Sequence, residues 1–283
     1  MPLDTHSELL KSIDINEFYK LCITSTSKRP DSRSYLDCRP LKCLPNILQN
    51  SNGSSMIRLG NTRVICSIKC QLAKPSLKSP SCGYIQPLVL LPRTQAYTSF
   101  GRRTQIINNN AVLSQTLLDI ILKSNMLHLD DLCIEQGKWV WCVSCDLFCI
   151  NNDGNLLDCC LLAIVHALKQ TTLYTVKIDS DTGKPLVYTK EKLKLKLYDE
   201  PLCCTMFVYD NELIVDPTLN EEQVATTLIH VVLLKNDQIC LLNKTGGTIF
   251  PTEKFQQCYG LAKQYIHSQR QILEKANDSK TVE

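Results

Sequence analysis

Glycine is scarce, with 10 residues in 283. None of them builds a phosphate-cradling P-loop, a G-x-S-x-G nucleophile elbow or a glycine-rich turn between a strand and a helix. The nucleotide-binding and serine-hydrolase classes that depend on those turns have no footing in this chain. An excess of charge of one sign is also missing: 31 Lys and Arg against 28 Asp and Glu leave a formal net charge of +3. With no global basic field, any nucleic-acid contact has to come from a local patch. The longest purely apolar run, Cys159 to Val165, is far too short to cross a bilayer. MPLDTHSELLKSIDINEFYK carries acids and hydroxyls where a secretory signal needs a basic start and an apolar run, so an intracellular protein is expected.

Cysteine, by contrast, is abundant, with 16 residues. Reducing compartments keep thiols free, and a chain of this length has no need of disulfide staples. VWCVSCDLFCINNDGNLLDCCLLAIVHAL holds Cys142, Cys145, Cys149, Cys159 and Cys160. If Trp139 to Ile150 is a strand, Cys142 and Cys145 point to opposite faces and cannot share an ion as a zinc knuckle does. The adjacent pairs Cys159-Cys160 and Cys203-Cys204 match no usual zinc or redox spacing, and the histidines, His6, His128, His166, His230 and His267, are scattered. The cysteines read as small core hydrophobes, with no metal and no cofactor expected.

The periodicity gives an outline of elements. Phe18 to Lys28 reads as a helical lead-in, and SKRPDSRSYLDCRP as a polar arm broken by Pro30 and Pro40. Two alternating runs, Met56 to Leu59 and Val64 to Leu72, flank Gly60-Asn61 and predict an antiparallel hairpin. A proline-punctuated loop leads to an extended segment near Ile85 to Leu91, then to an amphipathic helix carrying Val112, Leu117, Leu118, Ile121 and Leu122. After the Asp153-Gly154 turn, LLDCCLLAIVHALK is apolar nearly all round, which predicts a buried helix with Asn155 as N-cap and Asp158 at N3. Further strands are expected in VKIDSDTGKPLVY, in KEKLKLKL with Leu193, Leu195 and Leu197 inward, about Asp210-Asn211, and about Asn236-Asp237. Phe255 to Ala276 closes with a helix whose Leu261, Ala262, Tyr265, Ile266, Gln269 and Ile272 recur at three or four residues. The sum is an α+β fold, mixed β-sheets packed with α-helices, in one domain from 18 to 275 between tails at 1–17 and 276–283.

Two basic features and one acidic feature bear on function. Arg102-Arg103, with Arg93 nearby, sit in a glycine-containing loop ahead of the first long helix, where guanidinium groups suit phosphate. The alternative there is a solvated loop. Outward lysines of KLKLKLK either track a phosphate backbone or guard a strand edge. Asp216-Pro217-Thr218 reads as the start of a type I turn, and Glu221-Glu222 as a surface pair.

RPDSRSYLDCRP, GSSMIRLGNTRVICSIKC, CDLFCINNDGNLLDCCLLAIVHALK and ELIVDPTLNEEQVATT stand in the order and approximate spacing of the RNase PH-like proteins. Within them the chain resembles the RNase PH-like ring subunits of the eukaryotic RNA exosome, in the group related to the archaeal ring partner that lacks the catalytic site. The resemblance implies the RNase PH-like fold and a hexameric ring threaded by single-stranded RNA. Implied partners are the other ring subunits, S1/KH cap subunits and an associated 3'-5' exoribonuclease. It also implies rRNA processing and RNA degradation in nucleus, nucleolus and cytoplasm, with no membrane. Catalytic relatives carry acids on the strand matching Leu193 to Phe207, where this chain has KLKLKLYDEPLCCTMF with Asp199 as the nearby aspartate. A non-catalytic subunit is therefore expected, with Arg93, Arg102 and Arg103 as RNA-binding candidates. The alternative is a phosphate-dependent 3'-5' exoribonuclease using Arg102, Arg103 and Asp199. Relatives usually have Gly in place of Ser32, which implies a local turn change.

Overall fold

The computed structural model describes Phe18 and residues 29–91, 103–179, 184–209, 212–247 and 252–278. The helical lead-in expected at Phe18 to Lys28 lies outside the described residues apart from Phe18 itself. In chain order come β1 (Leu41–Pro45), β2 (Gly53–Leu59), β3 (Thr62–Ala73) and β4 (Tyr84–Leu90), then α1 (Arg103–Lys123), β5 (Cys133–Glu135) and β6 (Trp139–Asn151). These strands make one sheet of order β1-β2-β3-β6-β4, with β5 also pairing β6. All pairings are antiparallel except β4 with β6. A parallel pair needs a crossover, and α1 lies in it, packing on β4. The expected hairpin turns at Gly60, whose φ is +59°.

α2 (Leu156–Lys169) explains its own composition. Thirteen of its fourteen residues are buried, because the helix lies between β2 and β3 of the first sheet and β9 of the second. After it come β7 (Thr172–Ile178) and β8 (Pro185–Lys194), a two-stranded ribbon. The second sheet, of order β10-β9-β11-β12, comprises β9 (Leu202–Tyr209), β10 (Glu212–Val215), β11 (Thr227–Leu233) and β12 (Ile239–Gly246). α3 (Leu219–Val224) follows β10, and α4 (Thr252–Asp278) packs on β1, β9 and β11. β9, touched by both α2 and α4, is buried along Leu202 to Val208.

Cys145 is buried and Cys142 half-buried, as strand alternation requires. Burial pushes the thiols of Cys145, Cys159, Cys160, Cys203 and Cys204 well up, which disfavours the thiolate form that catalysis or metal ligation needs.

Several local expectations are corrected. Leu193 is exposed rather than inward, because β8 stops at Lys194 in a ribbon with little behind it, whereas Leu195 and Leu197 pack on the core. On α1, Leu117 and Ile121 are buried but Val112 and Leu122 are not, and on α4 Leu273 replaces Ile272 on the inner face. Asn155 stands at the N-cap of α2, yet with φ +55° its side chain makes no cap hydrogen bond. Ser32, where relatives usually carry Gly, has φ +68°, a left-handed conformation that favours glycine. The largest correction concerns the arm: Arg29 and Arg39 are buried, and Asp216 and Glu221, read as turn and surface residues, are buried with them.

Candidate functional site

The loop-end chemistry of four segments meets at Asp216. Its backbone is held at φ +55° and its side chain is fully buried. Asp216 Oδ2 accepts from the Arg39 backbone N–H at 2.7 Å and from Arg39 Nε at 3.0 Å, while Oδ1 accepts from Arg39 Nη2 at 2.7 Å. Asn155 Nδ2 donates to Oδ1 at 2.8 Å, and Arg33 Nη1 to Oδ2 at 3.2 Å. A cap would use Asn155 Oδ1 as acceptor from an extended backbone, and the left-handed conformation of Asn155 leaves that oxygen without a partner while Nδ2 serves Asp216. Arg39 also donates to the carbonyls of Asp153 at 2.7 Å and Pro217 at 3.1 Å. Arg29 donates to the carbonyls of Val215, Tyr35 and Asp216. Its guanidinium stands 3.8 Å from Glu221, which caps α3 in a reciprocal box with Thr218.

Burial pushes the Asp216 carboxyl up, but the hydrogen bonds and charge of Arg39 prevail and hold it below the ordinary carboxylate value. Asp158, which accepts from Thr205 N at 3.0 Å and Thr205 Oγ1 at 2.6 Å, is pushed up to about 6 by burial. Glu222, accepting from Asn155 N at 2.6 Å, is pushed up to about 7 by burial. His230, 2.9 Å from Thr205 Oγ1, is lowered to about 4 for the same reason. The cluster ties the 29–39 segment, the β2–β3 hairpin, the β6–α2 turn and the β10–α3 turn into one junction. The Asp216 carboxylate is saturated by protein donors, so the arrangement anchors these segments, while Arg29 Nε and Arg33 Nη2 are buried there without a hydrogen-bond acceptor.

The residues expected to carry function are placed differently. Arg93 and Arg102 lie outside the described residues, and Arg103 is the first residue of α1, its side chain likewise outside them. Asp199 does not join a carboxylate group: its Oδ1 accepts from Glu200 N at 2.6 Å and Lys235 N at 2.8 Å, pinning the approach to β9 to the turn after β11. β9 itself, LCCTMFVY, bears no carboxylate and is buried on both faces. Among the described residues no group of three His, Cys, Asp or Glu side chains could hold a metal ion.

One surface feature escaped the sequence reading. On the outer face of the first sheet, register aligns Leu44 with Met56, Met56 with Ile65, Ile65 with Phe148, and Phe148 with Leu90. Leu44, Phe148 and Leu90 are exposed, as are Leu88 and Ile150 beside them. A groove of about 420 Å³ opens next to Phe148, lined by Ile47, Leu48, Ser67 and Lys69. Only strand order shows this row, because its members come from five separate strands.

Two sheets enclosing a buried helix, joined through an arginine–aspartate junction, make up the fold. Profiles of the 3' exoribonuclease (RNase PH) family match residues 37–173 as domain 1 and 199–265 as domain 2. The chain belongs to this RNase PH family. It is 29% identical to the exosome complex component Rrp43 of Schizosaccharomyces pombe, over 87% of this chain and 91% of that protein. It is 32% identical to the exosome complex component Rrp42 of Saccharolobus islandicus, over 83% of this chain and 84% of that protein. A solved archaeal exosome core superposes with TM-score 0.75 at 25% identity, covering 98% of this chain and all of that one. A chain of the Archaeoglobus fulgidus exosome with RNA bound to the active site gives TM-score 0.78 at 24% identity, over 93% of this chain and 98% of the other.

Proposed function

We propose that this protein is a structural subunit of an exosome-type RNase PH ring, without a catalytic centre of its own. The observation that carries assembly is the apolar row across the outer sheet face, Leu44, Met56, Ile65, Phe148 and Leu90, a surface that a lone soluble chain has no reason to expose. The buried, acid-free β9 and the backbone-bound Asp199 support catalytic silence. In this reading the chain joins other RNase PH-like ring subunits, S1/KH cap subunits sit on the ring, and an associated 3'-5' exoribonuclease degrades RNA threaded through the channel. Arg93, Arg102 and Arg103 contact that RNA. The work is rRNA maturation and RNA decay, in nucleus, nucleolus and cytoplasm.

Native mass spectrometry of the chain with the other ring proteins should give a stoichiometric ring, and a monomer that persists in their presence refutes assembly. Incubating the purified chain with single-stranded RNA and inorganic phosphate should release no nucleoside diphosphate. Release that disappears in Asp199→Asn would establish the enzyme instead.

A further inference from the structure

The β7–β8 ribbon falls almost wholly between the two spans that the family profiles match. Residues 172–197 carry six lysines, Lys177, Lys184, Lys190, Lys192, Lys194 and Lys196, against the acids Asp179, Asp181 and Glu191. Four lysines elsewhere on the surface find carboxylates, Lys69 with Asp146, Lys138 with Glu135, Lys169 with Glu200 and Lys263 with Asp237, all at 2.6–3.1 Å, whereas Lys42, Lys74, Lys78 and Lys123, spread over other segments, do not find one among the described residues. Lys177, Lys192, Lys194 and Lys196 are exposed, and among the described residues none of them has such a partner. Two of them hold rings instead. Lys177 Nζ lies 5.4 Å from the centroid of Tyr188, and Lys192 Nζ lies 5.4 Å from that of Tyr174.

The ribbon's base is fixed and its strands pack chiefly on each other. Thr172 N donates to the Asn52 carbonyl, Asn52 Nδ2 returns to the Thr172 carbonyl, and Leu195 N donates to the Thr171 carbonyl. Pairing sets Tyr174 opposite Lys192 and Thr175 opposite Tyr188, with a register break between. Lys192 and Lys194 share a strand face about 6.6 Å apart, comparable to the step between phosphates along an extended strand. An ammonium beside an aromatic ring offers a nucleotide both of its contacts, charge for the phosphate and a π-face for the base. Lysines that only guard an edge need no rings beside them, and an acidic peptide would leave the tyrosines unused.

We propose that this ribbon is a contact surface for single-stranded RNA, in which Lys177, Lys192, Lys194 and Lys196 take backbone phosphates and Tyr174 and Tyr188 take bases. It is a different segment of the chain from Arg102-Arg103. The choice of RNA as the polymer rests on the ring-subunit reading, whereas the cationic and aromatic chemistry does not.

The test is the binding of a labelled oligouridylate to the full chain across a salt titration. Each phosphate contact on a single strand contributes about 0.7 to the slope of log affinity against log salt. Changing all four lysines to Gln should therefore flatten the slope by about 3, and changing them to Arg should restore it. Tyr188→Ala should weaken binding about tenfold with the slope unchanged, the mark of a lost stack. An unchanged slope in the Gln variant overturns the proposal. So does a polyglutamate peptide that displaces the oligouridylate at equal concentration, which would make the ribbon a surface for acidic proteins. Entry of the same variants into the ring, read separately by native mass spectrometry, tests ring assembly alone, so failure there and failure of RNA binding at the ribbon are told apart.

Discussion

Replacing Arg39 with Met retains most of the apolar stem but removes the guanidinium from the junction at Asp216. Asp216 would lose the Nε and Nη2 donors, at 3.0 and 2.7 Å, and keep the Arg39 backbone N–H, Asn155 and Arg33. The carbonyls of Asp153 and Pro217 would lose a donor each. Removing one member of a buried ion pair costs about 3–5 kcal/mol, because the remaining charge stays desolvated. The surviving donors place the expected loss near the lower end. At about 2 °C per kcal/mol for a chain of this size, a loss of about 3 kcal/mol should lower Tm by about 6 °C. Urea unfolding followed by the fluorescence of Trp139 and Trp141 would measure the loss. A double-mutant cycle with Asp216→Asn should show a coupling of about 2–3 kcal/mol, because once the carboxylate is neutral the guanidinium has less to compensate. A loss below about 1 kcal/mol, or additive single variants, would refute the claim that this pair holds the junction. Arg39→Lys should rescue little, since a lysine cannot make the forked contact.

The other predictions use different levers. Burial raises Glu222 from 4.5 to about 7, so the folded state holds a proton that the unfolded chain releases, and the resulting stability is complete below about 4.5 and lost as pH climbs through 7. Relative to Glu222→Gln, the wild type should lose up to about 3 kcal/mol between pH 5 and pH 8 in parallel denaturation curves; parallel profiles would sink the idea. Gly154 has φ +80°, and a Cβ there would stand 2.4 Å from Leu219 N and 2.5 Å from the Thr218 carbonyl carbon, so Gly154→Ala should cost more than about 2 kcal/mol. Gly137→Ala, at φ +77° with open space around it, is the control and should cost about 1 kcal/mol. Phe148→Glu should leave the melting curve of the isolated chain unchanged and exclude the chain from the ring in native mass spectrometry, since Phe148 is 42% exposed on the apolar row.

How far the sequence could be read depended on the range of each interaction. Strand alternation, the Gly60 hairpin, the Asp153-Gly154 turn and the all-round apolarity of α2 are local patterns, set by periods of two and 3.6 residues, and these were legible without coordinates. Cys142 and Cys145 were separated by the same alternation. The junction was not legible, because its members look like ordinary polar loop residues until their partners are known. Arg39 and Asp216 are 177 positions apart, and a charge is buried or solvated according to what faces it rather than what precedes it. The apolar row needed strand order for the same reason, and the two rings that hold Lys177 and Lys192 needed the β7–β8 register. By itself the sequence determined the family, the elements and the buried helix, since short-range periodicity and motif order suffice for those. Tertiary structure alone decided that the arginine-rich arm is an anchor, that Glu221 is interior and that an apolar stripe faces outward, because each of these is a meeting of distant segments in space.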